Sequence, residues 1–201
     1  PSFDETPEAL AAARIVGSTH HVTNFGTAAL KEINDELFDQ LDEPLSDSSM
    51  LSYYLLCKRA REHVTVALGG DAGDELFAGY APFHALRFAE LIERALPTPI
   101  HRGIRLLLGR ITPSHRYMST RFKIDRTLRG FGHGAALWNP LWLALVSPDE
   151  LAELLGEPIE LESLYSEAIE AWEGCHSQHP IDRSLEFFAR VFLQDDILVK
   201  V

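Results

Sequence analysis

Leu68-Gly69-Gly70-Asp71-Ala72-Gly73-Asp74-Glu75-Leu76-Phe77-Ala78-Gly79-Tyr80 is the stretch on which the reading of this chain turns. It follows directly on Val64-Thr65-Val66-Ala67-Leu68. That run is apolar and β-branched without polar alternation, the pattern of a strand buried on both faces of a parallel sheet. A parallel strand ending in glycines and carboxylates delivers them to the carboxyl edge of the sheet, where open α/β sheets take their ligands. Gly69 and Gly70 let the backbone approach a ligand closely or adopt a positive φ. Asp71, Asp74 and Glu75 place three carboxylates within five residues. Such a group repels itself unless a cation joins it, and a hard divalent cation bridging to phosphate oxygens is one resolution. A helix N-terminus accounts for the same residues differently, with Asp71 or Asp74 as its cap and Glu75 in its first turn. The segment is not a Walker loop, because no Gly-Lys-Ser/Thr follows.

Upstream of the strand the pattern is helical. Thr6-Pro7-Glu8 offers a capping residue, a proline for the first turn and an acid at the positive end, and predicts a helix to about Val16, stopped by Gly17. His20 to Thr23 reads as a short β-prone piece. Gly26-Thr27 starts a second helix, with Leu30, Ile33, Leu37 and Leu41 at helical spacing, and Asp42-Glu43-Pro44 breaks it. A third runs roughly from Ser48 to Glu62, its middle, Tyr53 to Cys57, apolar enough to be buried on most sides. Downstream of Tyr80 the expectation is helices at about 82–95, 100–110, 118–129, 135–145, 160–173 and 180–194. One more starts at Ser147-Pro148-Asp149-Glu150 with cap, proline and acids in place. The fold class expected is α/β with few parallel strands and mostly helix. Residues 1–80 form a partial nucleotide-binding portion, and 81–201 a helical extension.

At 201 residues the chain suffices for one sizeable core. Hydrophobic residues are 46% and charged residues 24%, the balance of a globular protein. No apolar run reaches the length of about eighteen that a membrane span needs. The N-terminus has neither a basic nor an apolar leader region and lacks a starting Met, and the C-terminus stops inside an apolar run. The expectation is a piece of a longer chain, without a signal peptide. Cys57 and Cys175 make no disulfide framework, which points to a reducing, cytoplasmic setting. A net charge of −12 argues against general nucleic-acid binding. Residues 101–130 nevertheless hold eight of the 18 Lys and Arg against one acid, Asp125. A solvated helical face meeting acidic surface elsewhere is the plain reading, a tRNA or anion patch the sharper one.

LGGDAGDELFAGY resembles the S-G-D/E-G-x-D-E-x-F-x-G-Y motif of the asparagine synthetase family. Three further segments agree in order and spacing. Asp42-Glu43-Pro44 with Asp47-Ser48-Ser49 resembles the family's "DEP…DSS" entry into the preceding helix. Arg59 to Leu68 resembles the helix and strand that lead into the motif. Asp195-Asp196-Ile197-Leu198-Val199-Lys200-Val201 resembles the C-terminal "P-D-D-I-L-V-K-V-D-R" segment. The likeness covers nearly the whole chain, closely in 40–80 and 190–201.

The resemblance implies the adenine-nucleotide α-hydrolase fold, the type of the PP-loop ATP pyrophosphatases. It also implies a ligase that uses ATP to convert aspartate to β-aspartyl-AMP and then amidates it with ammonia, made from glutamine by an N-terminal glutaminase domain of the same chain. By position it implies that Gly69, Gly70 and Gly73 lie against the nucleotide and that Asp71 serves the acyl-adenylate. It further implies that Asp74 helps hold Mg²⁺ on the pyrophosphate, and that Lys200 offsets charge developing on the phosphates. A homodimer is left open. Gly69 stands where the family often has Ser, and Ala72 where it often has Gly, which narrows the loop's conformations. The family's pyrophosphate loop, S-G-G-x-D-S, is not among these residues. Asp47-Ser48-Ser49 does not replace it, since no glycines there present N–H groups to phosphate. The 201 residues alone are therefore expected to make no asparagine and to bind ATP weakly. Asp47 reads as a helix N-cap, with the substrate pocket as its other option.

Other readings stay open: a β-lactam synthetase-like or pathway-specific amidotransferase, a tRNA-modifying relative, or a non-catalytic module that binds a partner. Cys175, His176 and His179 lack a fourth ligand for zinc and suit a polar loop. His20-His21 reads as a strand end. Trp138, Trp142 and Trp172 read as core.

Overall fold

The computed structural model describes residues 4–43, 45, 47–80, 83, 86, 91, 100, 103–104, 124, 126, 128–130 and 132–200. It is predominantly helical and divides into two compact units, Pro1–Gly70 with Asp196–Val201, and Asp71–Asp195.

In the first unit, α1 (Thr6–Val16) carries Pro7 in its opening turn and ends at Gly17, whose φ of 73° is the left-handed closure glycine supplies without strain. Thr6 is not its cap: Asp4 accepts the Thr6 N–H at 3.1 Å through Oδ1. The single helix expected after Gly26 forms as two pieces, α2 (Thr27–Glu32) and α3 (Asn34–Phe38). They part at Ile33, just before Asn34, a residue type that favours helix starts. Ile33 and Leu37 are both buried. α4 (Ser49–Ala60) is amphipathic rather than buried on most sides, with Met50 and Leu55 inside and Leu56 and Cys57 exposed. Its other residues meet polar partners: the Tyr54 hydroxyl accepts from Gln40, and Lys58 pairs with Glu36 at 2.7 Å. The expected β-prone piece around His20 is irregular, its His21 ring stacked on His63 at 5.2 Å.

The strand expected at 64–68 does not form, and no strand exists among the described residues. Val66 is 77% and Leu68 97% exposed. The physical reason is that a strand is stabilised by a ladder of hydrogen bonds to a neighbour, and no described segment offers one. The parallel-sheet part of the expected α/β class is therefore absent among the described residues, while the helical part stands.

The second unit opens with α5 (Gly73–Phe77). The helices expected at 82–95, 100–110 and 118–129 lie largely outside the described residues. A 3₁₀ turn (Ala135–Leu137) then runs into α6 (Trp138–Leu143). α7 (Pro148–Leu155) has the expected start: Ser147 Oγ accepts the Glu150 N–H, and the Glu150 carboxylate accepts the Ser147 N–H at 2.7 Å. α8 (Leu161–Leu164), α9 (Ser166–Gly174) and α10 (Pro180–Phe187) follow. The chain then widens into a π-helix over Phe188–Ile197 and tightens into a 3₁₀ turn over Leu198–Lys200.

The core of this unit joins Phe83, Leu86, Leu128, Trp138, Ala168, Ala171, Phe187 and Phe188. Trp138 meets Trp172 edge to face at 6.4 Å, so two of the three tryptophans are core as expected, while Trp142 is half-buried. Gly130 permits this packing, because a Cβ there would lie 2.9 Å from the Trp138 Cα. Arg129 donates to the Ala144 carbonyl at 3.2 Å and Arg126 to the Trp142 carbonyl at 2.8 Å, closing the C-terminal end of α6. These two members of the basic stretch thus hold backbone.

Candidate functional site

The motif at 68–80 is a tight turn set on an aromatic anchor. Gly69 and Gly70 lie exposed in irregular backbone. Asp71 is exposed, and Ala72 takes φ 71°, ψ −5°, the left-handed conformation that favours glycine. Ala72 holds the cap position of α5 and brings no side-chain acceptor to it. Ala78 closes the helix, again left-handed at φ 55°. The Gly79 N–H then returns to the Asp74 carbonyl at 3.0 Å. A Cβ at Gly79 would stand 2.0 Å from Asp74 Oδ1, so any other residue there makes the exposed Asp74 carboxylate swing aside.

The three carboxylates do not gather. Asp71 and Asp74 are exposed, whereas Glu75 is 3% exposed and accepts from the Tyr80 hydroxyl. Tyr80 in turn packs on Phe188, ring centroids 5.6 Å apart. Glu75 therefore ties the motif to the core and faces away from any cation held by the two aspartates. Among the described residues no group of three or more His, Cys, Asp or Glu is placed to hold a metal ion. Cys175, His176 and His179 form no such group either. His179 instead accepts the Ile181 N–H through Nδ1 at 3.3 Å and caps α10.

Of the residues singled out from sequence, Gly69, Gly70 and Lys200 belong to the first unit and Asp71, Gly73 and Asp74 to the second. Lys200 lies on the Leu198–Lys200 turn with its side chain only 7% exposed. Its ammonium donates to the Asp47 carboxylate, lies 3.3 Å from Ser49 Oγ and sits 3.8 Å from Asp196 Oδ2. Asp47 is itself held at the start of α4. Its Oδ1 accepts the Ser49 N–H at 2.8 Å and its Oδ2 the Ser49 hydroxyl at 2.8 Å. Burial pushes the Asp47 carboxyl up, but Lys200 and the Ser49 amide and hydroxyl outweigh it and hold the group below the ordinary carboxylate range. Asp196 goes the other way: burial raises it, Lys200 offsets part of that, and the Asp47 charge adds to it.

Sequence reasoning expected Asp47 at the N-cap of α4; the cap position falls on Ser48, one residue on, while Asp47 accepts the Ser49 N–H, and its pairing with Lys200 was missed. Both segments are family motifs, but nothing in spacing ties two residues 153 positions apart.

The described residues thus bring a buried lysine held at a helix start to one of these motifs and a left-handed turn set on aromatic packing to the other. The asparagine synthase family model matches residues 1–201, and the chain belongs to that family. A protein of Methanocaldococcus jannaschii named as asparagine synthetase (glutamine-hydrolysing) 2 is 28% identical over 205 residues, covering 99% of this chain and 37% of its own length. One of Mycobacterium tuberculosis, named as asparagine synthetase (glutamine-hydrolysing), is 29% identical over 102 residues, 51% of this chain and 16% of that protein. Asparagine synthetase (glutamine-hydrolysing) 1 of Bacillus subtilis is 51% identical over 39 residues, 19% of this chain and 6% of that protein. The chain thus spans about a third of the length of the archaeal relative, 37%. No solved structure matches it. Among the described residues no helix is long and apolar enough to cross a membrane.

Proposed function

We propose that this chain is part of the synthetase domain of an ATP-dependent, AMP-forming ligase that activates the β-carboxylate of aspartate and joins it to ammonia released from glutamine by an N-terminal glutaminase domain. The observation that carries the reading is the burial of Lys200 in an ion pair. A lysine is ordinarily solvated, whereas the side chain of this one is 7% exposed and held by Asp47. It is also the lysine that, by resemblance of the "DDILVK" segment to the family's, would face the phosphates. Residues 1–80 then form part of the nucleotide-binding portion and 81–201 the helical extension of the same domain.

The chain's own residues fit a nucleotide. The backbone at Gly69 and Gly70 is exposed, and a side chain at Gly70 would meet nothing within 4 Å, so this backbone can lie flat against a ligand. Lys200 supplies a fixed positive charge for the oxygens that gain negative charge as the bond between the α- and β-phosphates breaks. Asp71, exposed beside Ala72, takes the acyl-adenylate role in this reading by its match to the family motif. For Mg²⁺ the described residues offer Asp74 and Asp71 without a third ligand, which suits a metal shared with the S-G-G-x-D-S loop of relatives. Bound there, Mg²⁺ would neutralise the pyrophosphate. The 201 residues alone are proposed to be inactive.

ATP–pyrophosphate exchange on the full-length protein tests this reading. Exchange that requires aspartate and vanishes in Asp71→Ala supports it. Exchange with another carboxylic acid moves the protein to a specialised amidotransferase, and none with any acid favours a binding module. Tight ATP binding by the isolated chain would refute its proposed inactivity.

A further inference from the structure

We propose that Asp47 is a positioning residue for Lys200: built rigidly into the start of α4, it fixes the place from which the lysine's charge acts. The inference rests on Lys200 serving the phosphates.

Lysine is a point charge on a flexible four-carbon stem, and its use as a fixed charge requires that the ammonium be held. Here the holder is itself held. Ser49 engages both Asp47 oxygens, its N–H on Oδ1 and its hydroxyl on Oδ2, each at 2.8 Å. These bonds tie the carboxylate to the first turn of α4 independently of the lysine. Ser49 Oγ also lies 3.3 Å from the ammonium. Asp196, the other acid near the ammonium, stands off at 3.8 Å four residues back along the chain, so it biases the lysine's rotamer without tying the ammonium to a distant element. Asp47 belongs to a different element and supplies that tie. A plain tie between α4 and the 198–200 turn would use the same contacts, and the test has to separate the two.

The experiment uses the full-length protein with Asp47→Asn, Asp47→Glu, Ser49→Ala, Lys200→Met and the Asp47→Asn/Lys200→Met double variant. Acylation of the Lys200 amine is followed by peptide mass spectrometry, and kcat and ATP KM are taken from aspartate-dependent ATP–pyrophosphate exchange. A positioning role predicts that Asp47→Asn speeds labelling of Lys200 several-fold. It also predicts a kcat lower by roughly 10–100-fold, as for residues that orient a reacting group, with ATP KM within about threefold. Asp47→Glu should restore part of the rate. In the Lys200→Met background Asp47→Asn should add no further loss, because both act through one group.

Should Asp47→Asn fail to fold, Ser49→Ala keeps the ion pair and the backbone N–H on Oδ1, removes the hydroxyl from Oδ2 and so loosens the carboxylate, and should show the same pattern at a few-fold. Multiplying losses in the double variant, or a lowered melting temperature with unchanged kcat, would overturn the proposal and leave a structural tie. An unchanged labelling rate beside an inactive Lys200→Met overturns the part of Asp47 alone. Wild-type exchange in Lys200→Met overturns the role of Lys200 and that of Asp47 with it.

Discussion

The unit around Trp138 and the unit that carries Lys200 are held together by different forces. The first buries Phe83, Trp138, Trp172, Phe187 and Phe188 in one aromatic core. The second buries Ile33, Leu37, Met50 and Leu55, and leaves Ile15, Val16, Val66 and Leu68 in water. Its longest-range tie is polar, the ammonium of Lys200 on Asp47. Apolar burial is strong and non-directional, so the aromatic unit makes a stiff support for Tyr80 and the turn before it. A desolvated ion pair adds little net stability but has a defined geometry. The difference teaches that one unit is organised by apolar packing and the other by a directed polar contact.

Trp138→Ala should break the comparison most severely. It empties the centre of the aromatic core and should cost about 3–5 kcal/mol, read as loss of the cooperative thermal transition and of near-ultraviolet dichroism. An effect below about 1 kcal/mol would show that this core does not hold the unit.

A smaller effect is expected from acid. The Asp47 carboxyl sits below its ordinary value in the folded chain. Its stabilisation is therefore complete above the unfolded-state value of about 4 and is lost as pH falls through the lower folded value. Asp196, raised by burial, opposes folding as it ionises with rising pH. Denaturant titrations between pH 7 and 2 should show stability falling at the acid end, with the fall shallower in Asp47→Asn. Identical pH profiles for the two proteins would contradict the pairing.

The smallest effect concerns the turn. Ala72 holds a left-handed φ of 71°. Ala72→Gly relieves a strain of about 1 kcal/mol against the extra freedom glycine has when unfolded. The melting temperature should rise slightly or stay level. A fall of several degrees would mean that the alanine methyl makes contacts worth more than the strain.

Much of this was legible from local chemistry. Pro7 and Gly17 bracket α1, and Ser147 and Glu150 start α7, whereas the run Tyr53 to Cys57, read as buried on most sides, leaves Leu56 and Cys57 exposed. The substitution of Ala72 for a frequent glycine pointed to a constrained turn, and the backbone there is left-handed. What failed was non-local. Val64 to Leu68 has the composition of a buried strand, but strand formation depends on a neighbour that its own sequence does not specify. Three carboxylates close in sequence looked like one cluster, yet helical geometry turns Glu75 inward to Tyr80. The pairing of Asp47 with Lys200 joins two recognisable motifs and is written in neither.

The central claim, that the intact protein activates the β-carboxylate of aspartate by adenylation, is tested most directly by following oxygen. Attack of that carboxylate on the α-phosphorus of ATP expels pyrophosphate, and displacement by ammonia then leaves one carboxylate oxygen on AMP. With aspartate labelled by ¹⁸O in its β-carboxyl, the full-length protein should yield AMP carrying one ¹⁸O and unlabelled pyrophosphate. Label appearing in inorganic phosphate alongside ADP, or unlabelled AMP formed as the amide accumulates, would contradict the account.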